Sequence, residues 1–208
     1  MRFSVKRART TSHNPMIDPV RVAILSDTHG ELHESIAAIV CDCDIAIHAG
    51  DIGNADILDA LKPASGQVIA VTGNNDHERA WPPAQRERVK QLPRVAQLDL
   101  PGGMVKIEHG HIHDINKPDH EDLRLAHPEA RLVVYGHTHR KLIDDFSLPW
   151  VVNPGAAGST RTRGGASCLV LSASETQWTF ESFRFIEETT QNTQKNMINA
   201  TPKRTFAA

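Results

Sequence analysis

Residues of metal-ligand type follow directly after the short apolar segments of this chain, and this recurrence constrains the fold more than any other feature. The apolar residues 20–25 are followed by Asp27 and His29, and the apolar residues 44–49 are followed by Asp51. The same relation to an apolar run holds for four later residues: Asn74, His109, His137 and His139. Because ligands in open α/β sheets bind at the carboxyl ends of the strands, these side chains are predicted to meet at one sheet edge.

The first half of the chain alternates between strand-like and helix-like patterns. Short apolar runs predict strands at residues 20–25, 44–49 and 67–72. Helices are predicted between them, at residues 31–40 and 56–61. A β-α-β-α-β order indicates parallel strands joined by right-handed crossovers.

The second half of the chain reads mainly as strands and hairpins. A hairpin is predicted from residues 95–100 and 104–108, which flank Pro101-Gly102-Gly103. A helix at 119–126, strands at 132–135 and 150–153, and a closing hairpin at 167–171 and 176–185 follow. Together the two halves predict an α/β sandwich, with two mixed sheets packed face to face and helices outside.

Composition sets the boundaries and excludes some functions. The length of 208 residues suits one domain, which we place at residues 20–186 between a flexible N-terminal extension (1–19) and a flexible C-terminal tail (187–208). The net charge of −2 shows no basic excess, so a nucleic-acid partner is not expected. No apolar run approaches the ~20 residues of a membrane span, and the first residues lack the pattern of a secretory signal.

Cysteine content points to a reducing compartment. The chain has three cysteines, Cys41, Cys43 and Cys168, whose odd number and spacing indicate no disulfide framework. We therefore expect a cytoplasmic protein that is not attached to a membrane. A homodimer is compatible with the sequence, which does not determine the oligomeric state.

The predicted ligand set comprises two Asp, one Asn and four His, and this chemistry favours first-row divalent metals. Seven ligands exceed the needs of one ion, whereas two ions that share a carboxylate would use them well. Such a pair, about 3.5–4 Å apart, can hold a hydroxide and a phosphoryl oxygen during an in-line displacement. Two carboxylates against two divalent cations leave a cationic site suited to an anionic substrate.

Five motifs in order carry a resemblance to a known family. They are Asp27-x-His29, Gly50-Asp51, Gly73-Asn74-Asn75-Asp76, His109-Gly110-His111 and Gly136-His137-Thr138-His139. Together with the segment Asn153-Pro154-Gly155-Ala156, this series resembles the calcineurin-like metallophosphoesterase superfamily and its compact YfcE-like phosphodiesterase branch.

The resemblance implies a four-layer α/β/β/α sandwich and a dinuclear metal site. It implies that one ion is held by Asp27, His29, Asp51 and His139, and the second by Asp51, Asn74, His109 and His137. Asp51 would bridge the ions, and a hydroxide between them would attack phosphorus. The two divalent ions are expected to be manganese by resemblance, with nickel, cobalt, iron or zinc as alternatives.

One position departs from the family pattern. Many relatives carry a His directly after the metal-binding Asn, where it protonates the leaving group or steadies the phosphate, but this chain has Asn75. An amide can hydrogen-bond a phosphate oxygen but cannot transfer a proton near neutral pH. We assign catalytic roles to Asp51, Asn75 and His111, with His77 as an alternative to His111 for the missing acid.

Several other polar residues remain open to more than one interpretation. Asp76 is expected to orient its loop, and His48 to be structural. The exposed-loop and substrate-contact interpretations of Arg140, Arg161 and Arg163 stay equally open.

The predicted function is hydrolysis of a small soluble phosphodiester. The alternatives are a phosphomonoesterase acting on nucleotides or phosphoproteins, and a non-catalytic scaffold resembling Vps29, a retromer subunit of similar fold. A nuclease is disfavoured by the near-neutral charge and by the absence of a long insertion between the motifs.

Overall fold

A computed structural model describes residues 18–159 and 161–186, together with the backbone of residues 204–207. These residues form eleven strands and four helices, besides one short 3-10 turn. The strands are β1 (Val20–Leu25), β2 (Ile45–His48), β3 (Gln67–Ala70), β4 (Val95–Leu100), β5 (Gly103–Glu108), β6 (Leu132–Val134), β7 (Leu142–Asp144), β8 (Trp150–Asn153), β9 (Ala166–Ala173), β10 (Gln177–Phe185) and β11 (Arg204–Ala207). The helices are α1 (Glu34–Cys41), α2 (Ala55–Ala60), α3 (Arg86–Gln91) and α4 (His120–Ala126).

The strands form two mixed sheets, as predicted. The first sheet has the order β11-β10-β9-β1-β2-β3, in which β1, β2 and β3 are parallel. The second has the order β4-β5-β6-β8-β7, in which β5, β6 and β8 are parallel. Each sheet therefore contains a parallel block whose strands end at a common edge.

Three layers of apolar contact hold the fold together. Val22 and Ile24 of β1 face the second sheet, whereas the alternating Ala23 and Leu25 face the helices on the outer side. Because β1 is buried on both faces, its sequence is almost continuously apolar. A third cluster, which includes Leu123 of α4, covers the outer face of the second sheet. The resulting arrangement is the four-layer α/β/β/α sandwich that the resemblance implied.

Some elements differ from the sequence predictions. Helix α1 begins at Glu34 rather than at residue 31, because the ring of His33 accepts a hydrogen bond from the Ser35 amide and caps the helix. Strand β7 and helix α3 were not predicted, since their three and six residues are too short to show a clear periodicity. The predicted strand 67–72 ends at Ala70.

The predicted terminal segments lie mainly outside the described residues, which exclude 1–17, 187–203 and 208. Within the segment predicted as a flexible tail, residues 204–207 form strand β11. This strand pairs antiparallel with β10 and so covers the hydrogen-bonding edge of the first sheet.

Candidate metal centre

The predicted ligands lie in the loops that follow β1, β2, β3, β5 and β6. The loops after β1 and β2 are joined by backbone hydrogen bonds, from the Asp27 amide to the Gly50 carbonyl and from the His29 amide to the Asp51 carbonyl, each 2.9 Å long. The loop after β6 joins them because the His137 amide donates to Asp27 Oδ2 at 3.0 Å. Two hydrogen bonds within the first sheet and one from the second sheet therefore fix the relative positions of the three loops.

Backbone conformation distinguishes five of the seven predicted ligands from nearly every other non-glycine residue of the described chain. A positive φ is unfavourable for residues with a Cβ and typically persists at functional sites, where the surrounding structure enforces it. Among the described residues, six that are not glycine have a positive φ: Asp27, His29, Asp51, His137, His139 and Arg161. Five of these six are predicted metal ligands, so the strain is concentrated at the site.

The first predicted ligand set is compact. One ligand atom from each of Asp27, His29, Asp51 and His139 lies within 4.8 Å of every other, a grouping that could hold a metal ion. His139 Nε2 lies 3.3 Å from Asp27 Oδ1 and 3.2 Å from His29 Nε2. Carboxylate oxygens and imidazole nitrogens at this spacing suit a divalent first-row metal.

The structure brings the second predicted set together only in part. His109 Nε2 lies 3.4 Å from Asp51 Oδ2, and the rings of His109 and His137 are 5.2 Å apart. Asn74 is exposed, and none of the hydrogen bonds among the described residues involves its side chain. The neighbouring Asn75 contacts Asp51 instead, with its backbone N–H at 2.9 Å and its side-chain Nδ2 at 2.6 Å.

Backbone carbonyls determine which ring nitrogen of each histidine is available to a metal. His109 Nδ1 donates to the Ala49 carbonyl at 2.7 Å, and His139 Nδ1 donates to the Arg161 carbonyl at 3.0 Å. His137 donates through Nε2 to the Ile115 carbonyl at 2.7 Å. Since a carbonyl only accepts, the opposite nitrogen of each neutral ring carries the lone pair.

His109 provides a direct test of whether the residues fit a metal. Its Nε2 atom is buried and has no partner that satisfies hydrogen-bond geometry. Buried polar atoms are normally hydrogen-bonded, so an unsatisfied nitrogen that faces two carboxylates needs an explanation. A bound divalent cation would satisfy this nitrogen, and the surrounding donor set therefore fits the metal that the family resemblance implied.

The charges of the site shift the pKa values of its members in opposite directions. Burial alone would raise the pKa of Asp51, but the contact with His109 and the hydrogen bonds from Asn75 hold this pKa well below its usual range. Burial would lower the pKa of His109, yet its contact with Asp51 and the charges of Asp27 and Asp51 raise it to about 9. A proton on His109 Nε2 and a bound cation would be alternatives, because each would satisfy the same nitrogen.

Glycines allow the loops of the site to approach one another. A Cβ at Gly50 would lie 2.6 Å from His109 Nδ1. A Cβ at Gly136 would lie 2.7 Å from the Ala49 carbonyl oxygen and 3.0 Å from Asp27 Oδ2. At these positions a side chain would displace the backbone that orients the predicted ligands.

The remaining predicted residues occupy different places around the site. The His111 ring lies 5.4 Å from that of His109 and 6.2 Å from that of His137, whereas His77 is exposed and its ring accepts from the Ala80 amide at 3.2 Å. His111 Nδ1 is buried without a hydrogen bond. Burial lowers the pKa of His111, and the neighbouring His109 and His137 rings lower it further.

Asp76 orders the loop that carries Asp51. Its carboxylate accepts hydrogen bonds of 3.0 Å from the backbone amides of Ile52 and Gly53, and one of 2.9 Å from the Gly73 amide. The indole of Trp81, which is buried, donates to the same carboxylate at 3.0 Å. One buried side chain thus joins the loops that follow β2 and β3.

His48 and Thr28 form a second internal support. The Thr28 hydroxyl donates to the Ile52 carbonyl at 2.9 Å and lies 2.8 Å from His48 Nε2. Because the hydroxyl has one proton, His48 must donate through Nε2. Thr28, which lies between Asp27 and His29, is thereby held in place from inside the first sheet. No sequence motif indicates this role of His48.

The fold and the ligand arrangement define a metallophosphoesterase-type protein. Residues 20–176 match the calcineurin-like phosphoesterase superfamily domain, and the chain belongs to this family. It is 31% identical over 144 residues to a probable metallophosphoesterase of Methanocaldococcus jannaschii, covering 65% of this chain and 67% of that protein. It is 25% identical over 146 residues to a phosphodiesterase of the same archaeon, covering 65% of this chain and 83% of that protein.

Solved structures agree with the observed architecture. A Vps29 variant from Entamoeba histolytica superposes with a TM-score of 0.72, covering 90% of this chain and 99% of that one. At 15% sequence identity this similarity establishes the fold alone.

The helices of the described part of the chain include none with the length and apolar character of a membrane span.

Proposed function

We propose that this protein is a dinuclear-metal-dependent phosphodiesterase that hydrolyses a small soluble phosphodiester. The observation that carries the proposal is the convergence of Asp27, His29, Asp51 and His139, whose ligand atoms lie within 4.8 Å of one another. In a family of phosphoesterases, such a cluster at the strand ends is the expected position of the reaction centre.

The side chains divide into two overlapping ligand sets. Asp27, His29 and His139 would hold one ion, Asn74, His109 and His137 would hold the other, and Asp51 would serve both. Bound divalent cations would supply charge neutralisation and water activation for attack on phosphorus, and manganese is our first choice. The carbonyls that hold His109, His137 and His139 each engage one ring nitrogen and leave the other available to a cation.

Asn74 and Asn75 would adjust when the second set is completed. Asn75 donates to both oxygens of Asp51, at 2.9 and 2.6 Å, and so takes up hydrogen-bonding capacity of the predicted bridging carboxylate. A small rotation of this exposed loop would release Asp51 and allow Asn75 to donate to a phosphate oxygen instead.

The Vps29 fold supports a second candidate function, a non-catalytic scaffold. The chain shares its architecture with Vps29 proteins at a TM-score of 0.72. Strained backbone at five predicted metal-ligand positions is typical of a functional site, and a scaffold does not require it. This contrast favours catalysis.

The decisive experiment measures metal-dependent turnover. The protein would be stripped with chelator and assayed on a chromogenic phosphodiester and the matching monoester with Mn, Ni, Co, Zn, Mg or no metal. We expect Mn to restore turnover and Asp51→Asn to abolish it. Asp59→Asn, which changes an exposed carboxylate, is the control and should keep turnover. The ratio of diester to monoester rates distinguishes the phosphodiesterase from a phosphomonoesterase. A folded protein that shows no turnover under any of these conditions would favour the scaffold.

A further inference from the structure

Arg161 contacts the candidate metal centre through both its backbone and its side chain. Its carbonyl accepts the hydrogen bond from His139 Nδ1 at 3.0 Å, and its guanidinium Nη2 lies 2.8 Å from each ring nitrogen of His29. Its backbone has a φ of 56°, in the left-handed region. These two contacts place Arg161 at the edge of the first predicted ligand set.

The guanidinium of Arg161 faces the imidazole of His29 rather than a carboxylate. A guanidinium is permanently protonated and cannot accept a hydrogen bond, so only a neutral imidazole tolerates its approach. Burial and, to a smaller extent, the charge of Arg161 lower the pKa of His29, while Asp51 raises it. Within the ranges that the structure describes, no acidic side chain forms an ion pair with Arg161, which leaves its donors available to an anion.

The other two arginines that the sequence left open differ from Arg161. All three arginines are exposed, but the side chains of Arg140 and Arg163 contact no predicted ligand within the described residues. Arg163 lies in the same loop, two positions further along the chain. It therefore provides a matched control for charge and location.

From this geometry we propose that Arg161 binds a non-bridging oxygen of the scissile phosphoryl group, at the edge of the centre where His29 lies. The inference rests on the proposed phosphoesterase function and adds a substrate-binding residue to it. A guanidinium suits this role because its planar donors match the oxygens of a phosphate. A cation held by His29 would repel the guanidinium, which would then point outward, towards an incoming anion.

The test compares Arg161→Gln with Arg163→Gln in the full chain, using inorganic phosphate as the probe. Calorimetry would measure phosphate binding to the Mn-loaded proteins and Mn binding to the metal-free proteins. We expect Arg161→Gln to weaken phosphate binding by about tenfold, the worth of a charge-assisted hydrogen bond. Mn binding should be unchanged or tighter, because a neighbouring positive charge is removed. Arg163→Gln should change neither affinity.

Two outcomes would overturn the proposal. Unchanged phosphate affinity in Arg161→Gln would show that the guanidinium does not bind the anion. A parallel loss of Mn and phosphate affinity would show that Arg161 acts only through its carbonyl contact with His139. Arg161→Lys, which keeps the charge but not the planar donors, should recover part of the phosphate affinity if the proposal holds.

Turnover of the wild-type protein, measured in parallel, separates this inference from the proposed function. A wild-type protein that hydrolyses the diester and binds phosphate independently of Arg161 would refute only the role of Arg161. A protein that binds phosphate through Arg161 but never turns over would refute the proposed activity and leave an anion site.

Discussion

At the residue scale, Asp51 links the two predicted ligand sets. Its carboxylate lies 3.8 Å from His29 Nε2 and 3.4 Å from His109 Nε2, so it faces one member of each set. A carboxylate in this position can bridge two cations. Its depressed pKa, due to His109 and Asn75 acting against burial, keeps it ionised and ready to bind metal.

His111 is the residue whose catalytic role is most directly testable. We expect His111→Ala to steepen the dependence of the diesterase rate on the pKa of the leaving alcohol, because the imidazole near His109 and His137 could no longer assist departure. The measurement is a series of aryl phosphodiesters with progressively poorer leaving groups.

His111→Ala is compared with His77→Ala, which removes the alternative acid, an exposed ring two positions after Asn75. Its leaving-group dependence should match that of the wild type. Identical dependence in His111→Ala would exclude His111 as the acid, and a steeper dependence in His77→Ala would favour His77 instead.

Buried His48 should make folding stability depend on pH. Burial disfavours its charged form and lowers its pKa to about 4. The unfolded chain, with an ordinary histidine pKa of about 6.5, therefore binds the proton first as pH falls. The contribution to the free energy of unfolding is complete above about pH 6.5 and is lost as pH falls towards about 4.

Urea unfolding of the metal-free protein across this pH window checks the prediction. His48→Gln can still donate to Thr28 but does not titrate, so its stability should decline less between roughly pH 6.5 and 4. His77→Gln, at an exposed position, should retain the wild-type slope. An unchanged slope in His48→Gln would contradict the assignment of His48 as a neutral buried ring.

At the element scale, the loops that follow β2 and β3 behave as one unit because Asp76 joins them. Asp76→Asn replaces one acceptor oxygen by a donor and leaves part of a buried set of amide and indole N–H groups without partners. We expect a loss of about 3 kcal/mol in the free energy of unfolding. Mn affinity should also fall, because Asp51 lies in the loop that Asp76 holds.

Chemical denaturation of the metal-free variants measures the stability effect, and calorimetry measures the Mn affinity. Asp59→Asn is the matched control, since it removes an exposed carboxylate that pairs with Arg88 at 2.8 Å. Its cost should stay below about 1 kcal/mol. Equal losses in the two variants would show that the Asp76 hydrogen bonds do not stabilise the loops.

At the scale of the whole molecule, the candidate centre lies where the two sheets meet. Asp27 and Asp51 follow strands of the first sheet, whereas His109 and His139 follow strands of the second. Metal bound between them would crosslink the sandwich at one end. Binding should therefore stabilise the folded domain against global unfolding.

Thermal unfolding with and without Mn tests this coupling. Metal at about 100 times its Kd contributes about 2.7 kcal/mol, which raises the Tm of a chain of this size by roughly 5–10 °C. Chelator should reverse the shift, and Asp51→Asn should greatly reduce it. A Tm that does not respond to Mn in the wild type would indicate that the ligands do not hold a metal in the folded state.

Much of the fold could be predicted because its core strands are encoded locally. The run VRVAIL at β1 is apolar at nearly every position since both of its faces are buried, and the glycine-bounded motifs mark where the strands end. Strand β7 and helix α3 escaped prediction, because short elements are stabilised by their neighbours rather than by their own periodicity.

By itself, the sequence determined the family, the sandwich and the identity of the predicted ligands, because strand ends and metal-ligand chemistry are both visible in residue order. The tertiary structure alone decided which partners orient those ligands. The carbonyls of Ala49, Ile115 and Arg161 fix the histidine rings, yet every residue has a carbonyl and no pattern distinguishes these three. The structure also distinguished Arg161 from Arg163, because only the folded chain shows that the Arg161 guanidinium lies beside His29.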